Sequence, residues 1–244
     1  MSKCLLIQPG AFGDLFVCAP IAKHYADLGY EVIWPTRKKF ISTLEYFPYV
    51  KPITLSEDVL HEDWLRSDVM KILPHLNKYD RVINLADRGP HPTAQQYWEN
   101  FEQCKYRLAE VPFSEKNNLS WQRNKNKEKE LFNFLGLSDQ DEYAVIHRVD
   151  SHNEVAEIPE INIKTVEIRE LSGFNIPDWF TVIQKAKQIF CVESGIHQFI
   201  DGIATKTTKE KFLLRKPCVP VNCRHTVSSS WKLDYIGKNS IVHG

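Results

Sequence analysis

The sequence predicts an α/β fold built on parallel sheets, and three observations carry that expectation. Short apolar runs of strand length alternate with segments of helical pattern along most of the chain, which is the arrangement of strand–helix–strand units. The chain opens on one such unit: Cys4 to Ile7 runs through Pro9-Gly10-Ala11-Phe12-Gly13-Asp14 into an apolar periodic segment. A second unit lies near the far end, where Ile189 to Val192 runs through Glu193-Ser194-Gly195 into another apolar segment. In open α/β sheets ligands bind beyond the carboxyl ends of the strands. These two turns are therefore the first places to look for a site.

The elements follow in order. Strands are expected over Leu5–Gln8, Glu31–Trp34, Val50–Leu55 and Arg81–Leu85, with helices over Asp14–Leu28, Lys38–Tyr46 and Trp64–Leu76 between them. The loop Asp87-Arg88-Gly89-Pro90-His91-Pro92 leads to a helix from about Ala94 to Ala109. A polar stretch, Ser114 to Lys129, then enters a short helix, Glu128–Leu135, closed by Gly136. The segment from Gly136 to Glu142 reads as a linker, which sets the domains at 1–137 and 138–244. The second half repeats the same logic on a smaller scale. Strands are expected at Tyr143–His147, Lys164–Ile168 and Ile189–Val192, helices at Asp178–Lys187 and Ser194–Ile203, and a last helix over Ser228–Ile236.

Bulk properties narrow the class. A chain of 244 residues with 43% hydrophobic and 25% charged residues has ordinary globular composition. Lysine plus arginine equals aspartate plus glutamate at 31 each, so no global basic field points to nucleic acid. No apolar run approaches the roughly 20 residues that span a bilayer, and Lys3 precedes too short an apolar run for a signal peptide. The six scattered cysteines read as reduced and buried. Together these features predict a protein of the cytosol, of a cell or of an infected host. They also leave the Asn118-Leu119-Ser120 sequon without meaning.

The first turn has its own chemistry. A dinucleotide fingerprint wants three glycines and a phosphate on the helix N-terminus. Here only Gly10 and Gly13 are present, followed by Asp14. A carboxylate suits the helix dipole but repels a phosphate. Two readings stand: Asp14 presents a carboxylate to a cleft, or it only caps the helix.

The segment PGAFGDLFVCAPIAKHYADLGYEVIWPTRKKF resembles the opening of the heptosyltransferase-like glycosyltransferases of the GT-B fold, the ADP-heptose:lipopolysaccharide heptosyltransferase type. The far motif, Ala186 to His197, is similar to that family's strand followed by Asp-Ser/Thr-Gly, two residues and His. Glu193 replaces the Asp and one residue fewer precedes His197. The two motifs cover about a quarter of the chain, in the family's order and spacing. The resemblance implies two Rossmann-like domains facing across a cleft, with the last helix returning to the first domain. It implies sugar transfer from a nucleotide-sugar donor to an acceptor hydroxyl, with no cofactor beyond that co-substrate.

Such transfer needs a base for the acceptor hydroxyl and cations or helix N–H groups for the departing diphosphate. On this reading Asp14 is the base, with Gly10, Gly13, Arg88 and His91 on the acceptor side. Arg148, Ser151, Glu193, Ser194, Gly195 and His197 face the donor, and Glu167, in preference to Glu170, holds the ribose hydroxyls. The only Asp-x-Asp pair, Asp139-Gln140-Asp141, lies in the expected linker, so transfer without a metal is expected; inversion at the anomeric carbon is expected beside it as part of the same reading. Cys218, Cys223 and His225 lack the second ligand pair of a zinc site. The acceptor stays open between a saccharide and a hydroxymethylated base of DNA. Zero net charge weighs against DNA. The basic runs Arg123-Lys125-Lys127 and Lys206-Lys209-Lys211-Arg215-Lys216 weigh for it. A non-catalytic nucleotide-sugar binder and a nucleotide-dependent oxidoreductase with a degenerate glycine turn are the rival classes.

Overall fold

Strand β1 (Lys3–Ile7) is apolar from Cys4 onward and fully buried there, as the middle of a parallel sheet requires. The structure is a computed structural model that describes residues 1–8, 11–55, 73–85, 100–150, 153–203, 210–215 and 231–235. It divides into two units, Met1–Gln122 and Arg123–Gly244. The linker reading sets the boundary later, at 137. The division falls earlier because the helix before that linker is tied into the second unit. Arg123 forks onto Glu128, at 2.8 and 2.5 Å, and the Thr181 hydroxyl donates to the same carboxylate.

In the first unit the sheet order is β3-β2-β1-β4, all parallel. Helix α1 (Phe12–Asp27) joins β1 to β2 (Glu31–Arg37). Residues Leu15 to Ala22 of α1 are all buried, so the helix is enclosed on most sides. Its outer cover includes a 3-10 turn at Phe113–Asn117 and the later helix around Tyr106, whose hydroxyl donates to the Val17 carbonyl at 2.9 Å. After β2 a 3-10 turn, Lys38–Phe40, runs into a four-residue helix, α2 (Ile41–Leu44), and then β3 (Val50–Leu55). Strand β4 (Arg81–Asn84) lies on the far side of β1, and α3 (Phe101–Leu108) follows. The strand order thus reverses beside β1, and the crevice between the carboxyl ends of β1 and β4 is the switch point.

Strand β2 runs three residues further than its apolar run suggests, through Pro35. Proline is unwelcome in an interior strand because it lacks the N–H donor. Here the β1–β2 pairing stops at Ile33, so Pro35 stands where β2 pairs with β3 alone. The gap past that point is closed by a side chain: the Trp34 indole N–H donates to the Gln8 carbonyl at 2.7 Å.

In the second unit α4 (Lys125–Phe134) leads to a parallel sheet of order β6-β5-β7-β8-β9. The strands are β5 (Tyr143–His147), β6 (Lys164–Glu167), β7 (Gln188–Val192), β8 (Glu210–Arg215) and β9 (Trp231–Tyr235). A 3-10 turn, Ile176–Trp179, and α5 (Phe180–Lys185) precede β7, and α6 (Gly195–Gly202) follows it. Here the order reverses between β5 and β7.

Two expectations are corrected here. The last helix, Ser228–Ile236, is instead strand β9 over Trp231–Tyr235. Trp231, Leu233 and Tyr235 alternate with Lys232 and Asp234, a period of two that suits a strand. Of the basic run expected to favour a phosphate backbone, Lys211 lies in β8 fully buried near Asp201 and the Trp231 ring, so it does not face a ligand, and Lys206, Lys209 and Lys216 lie outside the described residues. The expected helix Trp64–Leu76 and the loop Asp87–Pro92 fall largely or wholly outside the described residues.

Candidate functional site

Helix α1 starts at Phe12, with Ala11 as its cap residue. Alanine has no side-chain acceptor for the first turn. Asp14, three residues on, reaches back instead, and its Oδ2 accepts the Ala11 N–H at 3.0 Å. The other oxygen, Oδ1, lies 3.4 Å from the Lys105 ammonium, and only 17% of the Asp14 side chain is exposed. Lys105 comes from α3 and is buried. Its Nζ also donates to Gln8 Oε1 at 2.8 Å and to the Leu85 carbonyl at 3.4 Å. One ammonium thus joins the end of β1, the end of β4 and the first turn of α1, at the switch point.

One carboxylate oxygen thus serves the cap and the other faces Lys105. Asp14 caps its helix and is half-buried at the carboxyl edge of the sheet. Gly13 stands in the same first turn. Gly10, Arg88 and His91 lie outside the described residues.

One turn beyond Asp14, burial pushes the Cys18 thiol up to about 12, with Asp14 and Glu102 adding to the shift and Lys105 opposing it. Glu102, also on α3, is fully buried and pairs with the Lys116 ammonium at 2.8 Å. Helix α3 thus carries two buried charges of opposite sign, Lys105 paired with Asp14 and Glu102 paired with Lys116. The sequence reading missed Lys105, and the reason is physical. Glu102, Lys105, Tyr106 and Ala109 form the buried stripe of the helix at the usual spacing. Two of the four are charged, and charge ordinarily marks the solvent face.

In the second unit the structure brings Arg148 and Glu167 together. The Arg148 Nε–H donates to Glu167 Oε1 at 2.9 Å, with the two side chains 44% and 34% exposed. They stand at the carboxyl ends of the paired strands β5 and β6. The chain after β5 folds back on itself: Ala156 N–H donates to the Arg148 carbonyl at 2.8 Å, and Asn153 takes a left-handed φ of 63°. Ser151, between them, lies outside the described residues. His147 ends β5 half-buried, its Nδ1 3.2 Å from the Ile168 carbonyl. Burial lowers its pKa from the ordinary histidine value, so near neutral pH the ring is uncharged and donates from Nδ1.

Strand β7 ends beside β5, with Cys191 in register with His147. The turn Glu193-Ser194-Gly195 follows. Ser194 caps α6: its Oγ accepts the His197 N–H at 3.3 Å. Glu193 and Gly195 are half-buried. The first N–H groups of α6 point out of the helix at this edge. His197 does not join them, because its ring is fully buried and meets Trp231 edge-on at 5.0 Å. Trp231 in turn donates to Asp201 at 2.9 Å. The histidine of the far motif is thus part of the packing beneath the turn.

Among the described residues no three His, Cys, Asp or Glu side chains gather to hold a metal ion. The two aspartates of the Asp-x-Asp pair serve local structure. Asp139 pairs with Lys185, and Asp141 accepts the Ser138 N–H at 2.6 Å. Cys218, Cys223 and His225 lie outside the described residues.

Two wholly parallel α/β sheets, each with a switch point at its carboxyl edge, define the class: the fold is shared with GT-B glycosyltransferases. Three solved structures illustrate the likeness. A glycosyl transferase family 9 structure from Veillonella parvula matches with a TM-score of 0.63 at 11% identity, over 98% of this chain and 88% of that one. ADP-heptose LPS heptosyltransferase II of E. coli matches with a TM-score of 0.62 at 11% identity, over 98% and 94%. E. coli heptosyltransferase WaaC with ADP matches at 0.52 and 13% identity, over 96% and 93%. No family model matches the sequence, and no curated protein matches it.

Proposed function

We propose that this chain is a glycosyltransferase that moves a sugar from a nucleotide-sugar to an acceptor hydroxyl. The observation that carries the reading is the contrast between the two switch points. One presents a carboxylate fixed on two sides, Asp14. The other presents a guanidinium, Arg148, and the N-terminus of α6 at Gly195. A carboxylate suits a hydroxyl that must lose a proton. A cation and helix N–H groups suit a diphosphate.

The labour divides accordingly. Arg148, the Ser194–Gly195 N–H groups and Ser151 take the diphosphate. Glu193 holds sugar hydroxyls and Glu167 the ribose hydroxyls, the latter while steering the Arg148 fork. The acceptor oxygen attacks the anomeric carbon as the bond to the diphosphate oxygen breaks. The leaving nucleoside diphosphate keeps that electron pair, and the acceptor proton passes to Asp14. Attack opposite the leaving group inverts the anomeric centre. Gly10, Arg88 and His91 complete the acceptor side.

A saccharide hydroxyl is the favoured acceptor. Of the basic residues that could track a DNA backbone, Arg123 is spent on Glu128 and on the Phe180 face, 4.2 Å away, and Lys211 is buried. The test is a panel of ADP-, UDP- and GDP-linked hexoses and heptoses, read by thermal shift and by nucleoside diphosphate release with water or simple saccharides as acceptors. The wild-type chain should bind and turn over at least one donor, in EDTA as well as without it. Asp14→Asn should lower turnover by roughly 10²–10⁴, the range for losing a general base. Full turnover by Asp14→Asn removes the aspartate from the chemistry. Binding without turnover points to a nucleotide-sugar binder.

A further inference from the structure

We infer that Lys105 is the positioning residue for the Asp14 carboxylate, a role that rests on the glycosyl-transfer reading above. Asp14 is held at two points. The Ala11 N–H fixes Oδ2, and the Lys105 ammonium stands beside Oδ1. The first contact is local to the turn and turns with it. The second refers the carboxylate to the sheet, because the same ammonium is bound to Gln8 at the end of β1 and to the Leu85 carbonyl just past β4. An ammonium has three N–H donors, and three acceptors surround this one. Lys105 therefore sets where Asp14 stands relative to both strands that flank the switch point.

Coulomb attraction alone would not need this arrangement. A flexible surface lysine could supply charge. The side chain is instead buried and drawn from α3, an element outside the β1–α1 unit. The other groups facing Asp14 are the Cys18 thiol, neutral because its pKa is raised to about 12, and Glu102, which the Lys116 ammonium neutralises. Among the described residues Lys105 is the only cation paired with Asp14.

The test is a cycle of Asp14→Asn, Lys105→Met and the double variant, with Lys105→Arg and Gln8→Leu beside them. Turnover is read as nucleoside diphosphate released from the donor that the panel identifies. Lys105→Met should lower kcat by about 10², the scale of a 1 Å misplacement, and leave the donor KM unchanged. Lys105→Arg should recover most of that loss. In the Asp14→Asn background Lys105→Met should cost less than about threefold, because residues acting as a unit are not additive. A purely structural lysine would instead lower the folded fraction and leave kcat per folded molecule alone. If Lys105→Met does not fold, Gln8→Leu decides: it keeps the charge, loosens the tether, and should lower kcat in an Asp14-dependent way. Unchanged kcat in Lys105→Met, or in Gln8→Leu where that variant decides, overturns the inference. So does a Lys105→Met loss that multiplies in full with Asp14→Asn. Wild-type turnover that Asp14→Asn leaves intact overturns the role of Asp14 instead. A wild-type chain that turns over no donor overturns the glycosyl-transfer reading, and this inference with it.

Discussion

Removing Glu102 should destabilise the first unit far more than an ordinary charge substitution does. The carboxylate is fully buried, and its partner, the Lys116 ammonium, is only 3% exposed at 2.8 Å. At an effective dielectric constant of 20, unit charges at that separation attract by about 6 kcal/mol. Taking both ions out of water costs several kcal/mol each, so the pair as a whole contributes little. The asymmetry appears when one member goes. Glu102→Leu leaves the Lys116 ammonium buried without its carboxylate, which costs about 3–5 kcal/mol. With a urea m-value of about 2 kcal/mol/M, that is a fall of about 1.5–2.5 M in the unfolding midpoint of this unit. Glu102→Leu with Lys116→Met should recover most of the loss, because no lone charge remains. The assay is urea unfolding followed by far-UV circular dichroism and by tryptophan fluorescence, with Trp34 reporting on the first unit. A single variant that loses less than about 1 kcal/mol, or a double variant no better than the single, refutes the account; ordinary surface changes stay within about 0.5 kcal/mol.

Three other outcomes follow from the sites. His147 has its pKa lowered by burial, against the opposing pull of Glu167 and of the Ile168 and Val149 carbonyls. The unfolded chain then binds this proton first, so stability is lost as pH falls below the unfolded value of about 6.5. In His147→Gln that part of the acid sensitivity should vanish in unfolding midpoints measured from pH 7.5 to 5, and an unchanged slope counts against it. Gly195→Val should weaken nucleoside diphosphate binding in a titration while the melting temperature holds, since a branched side chain at the first residue of α6 keeps an anion from the backbone. Lys211 has its pKa lowered by burial, with Asp201 opposing. The second unit should therefore gain stability as pH rises toward about 10.4, and Lys211→Met should flatten that rise.

Much of this was legible in the sequence, because the strands announce themselves. Cys4–Ile7, Tyr143–His147 and Ile189–Val192 are apolar runs of strand length with turn residues behind them, and a parallel strand buried on both faces leaves that mark. The Asp14 turn was readable for the same reason: local geometry selects the residue. What was hidden is what depends on partners distant in the chain. Lys105 and Glu102 occupy a core stripe that their charge disguises. Lys211 reads as one of a basic run that could meet a phosphate backbone until Asp201, ten positions away, is placed against it. Pro35 argues against a strand until it is known that β1 has already parted from β2. The Trp231 segment reads as a returning helix when the resemblance is given more weight than its alternation. The Arg148–Glu167 pair joins two residues that the sequence assigns separate tasks on the donor, and only the β5–β6 register brings them together.

The parallel sheet of the first unit also sets a timetable for synthesis. Strand β1 leaves the ribosome before either of its neighbours, and one of the two comes much later. Lys3 and Asp80, 77 residues apart, clasp each other by backbone and side chain just where β1 and β4 begin. At about 5–20 residues per second, β1 waits some 4–15 s for that partner. For that interval Cys4, Leu5, Leu6 and Ile7, later among the most deeply buried residues of the chain, can pair only with β2. The nascent chain thus carries an open apolar flank until the last third of the unit is made, and the exposure that invites misassociation belongs to translation and not to the finished fold.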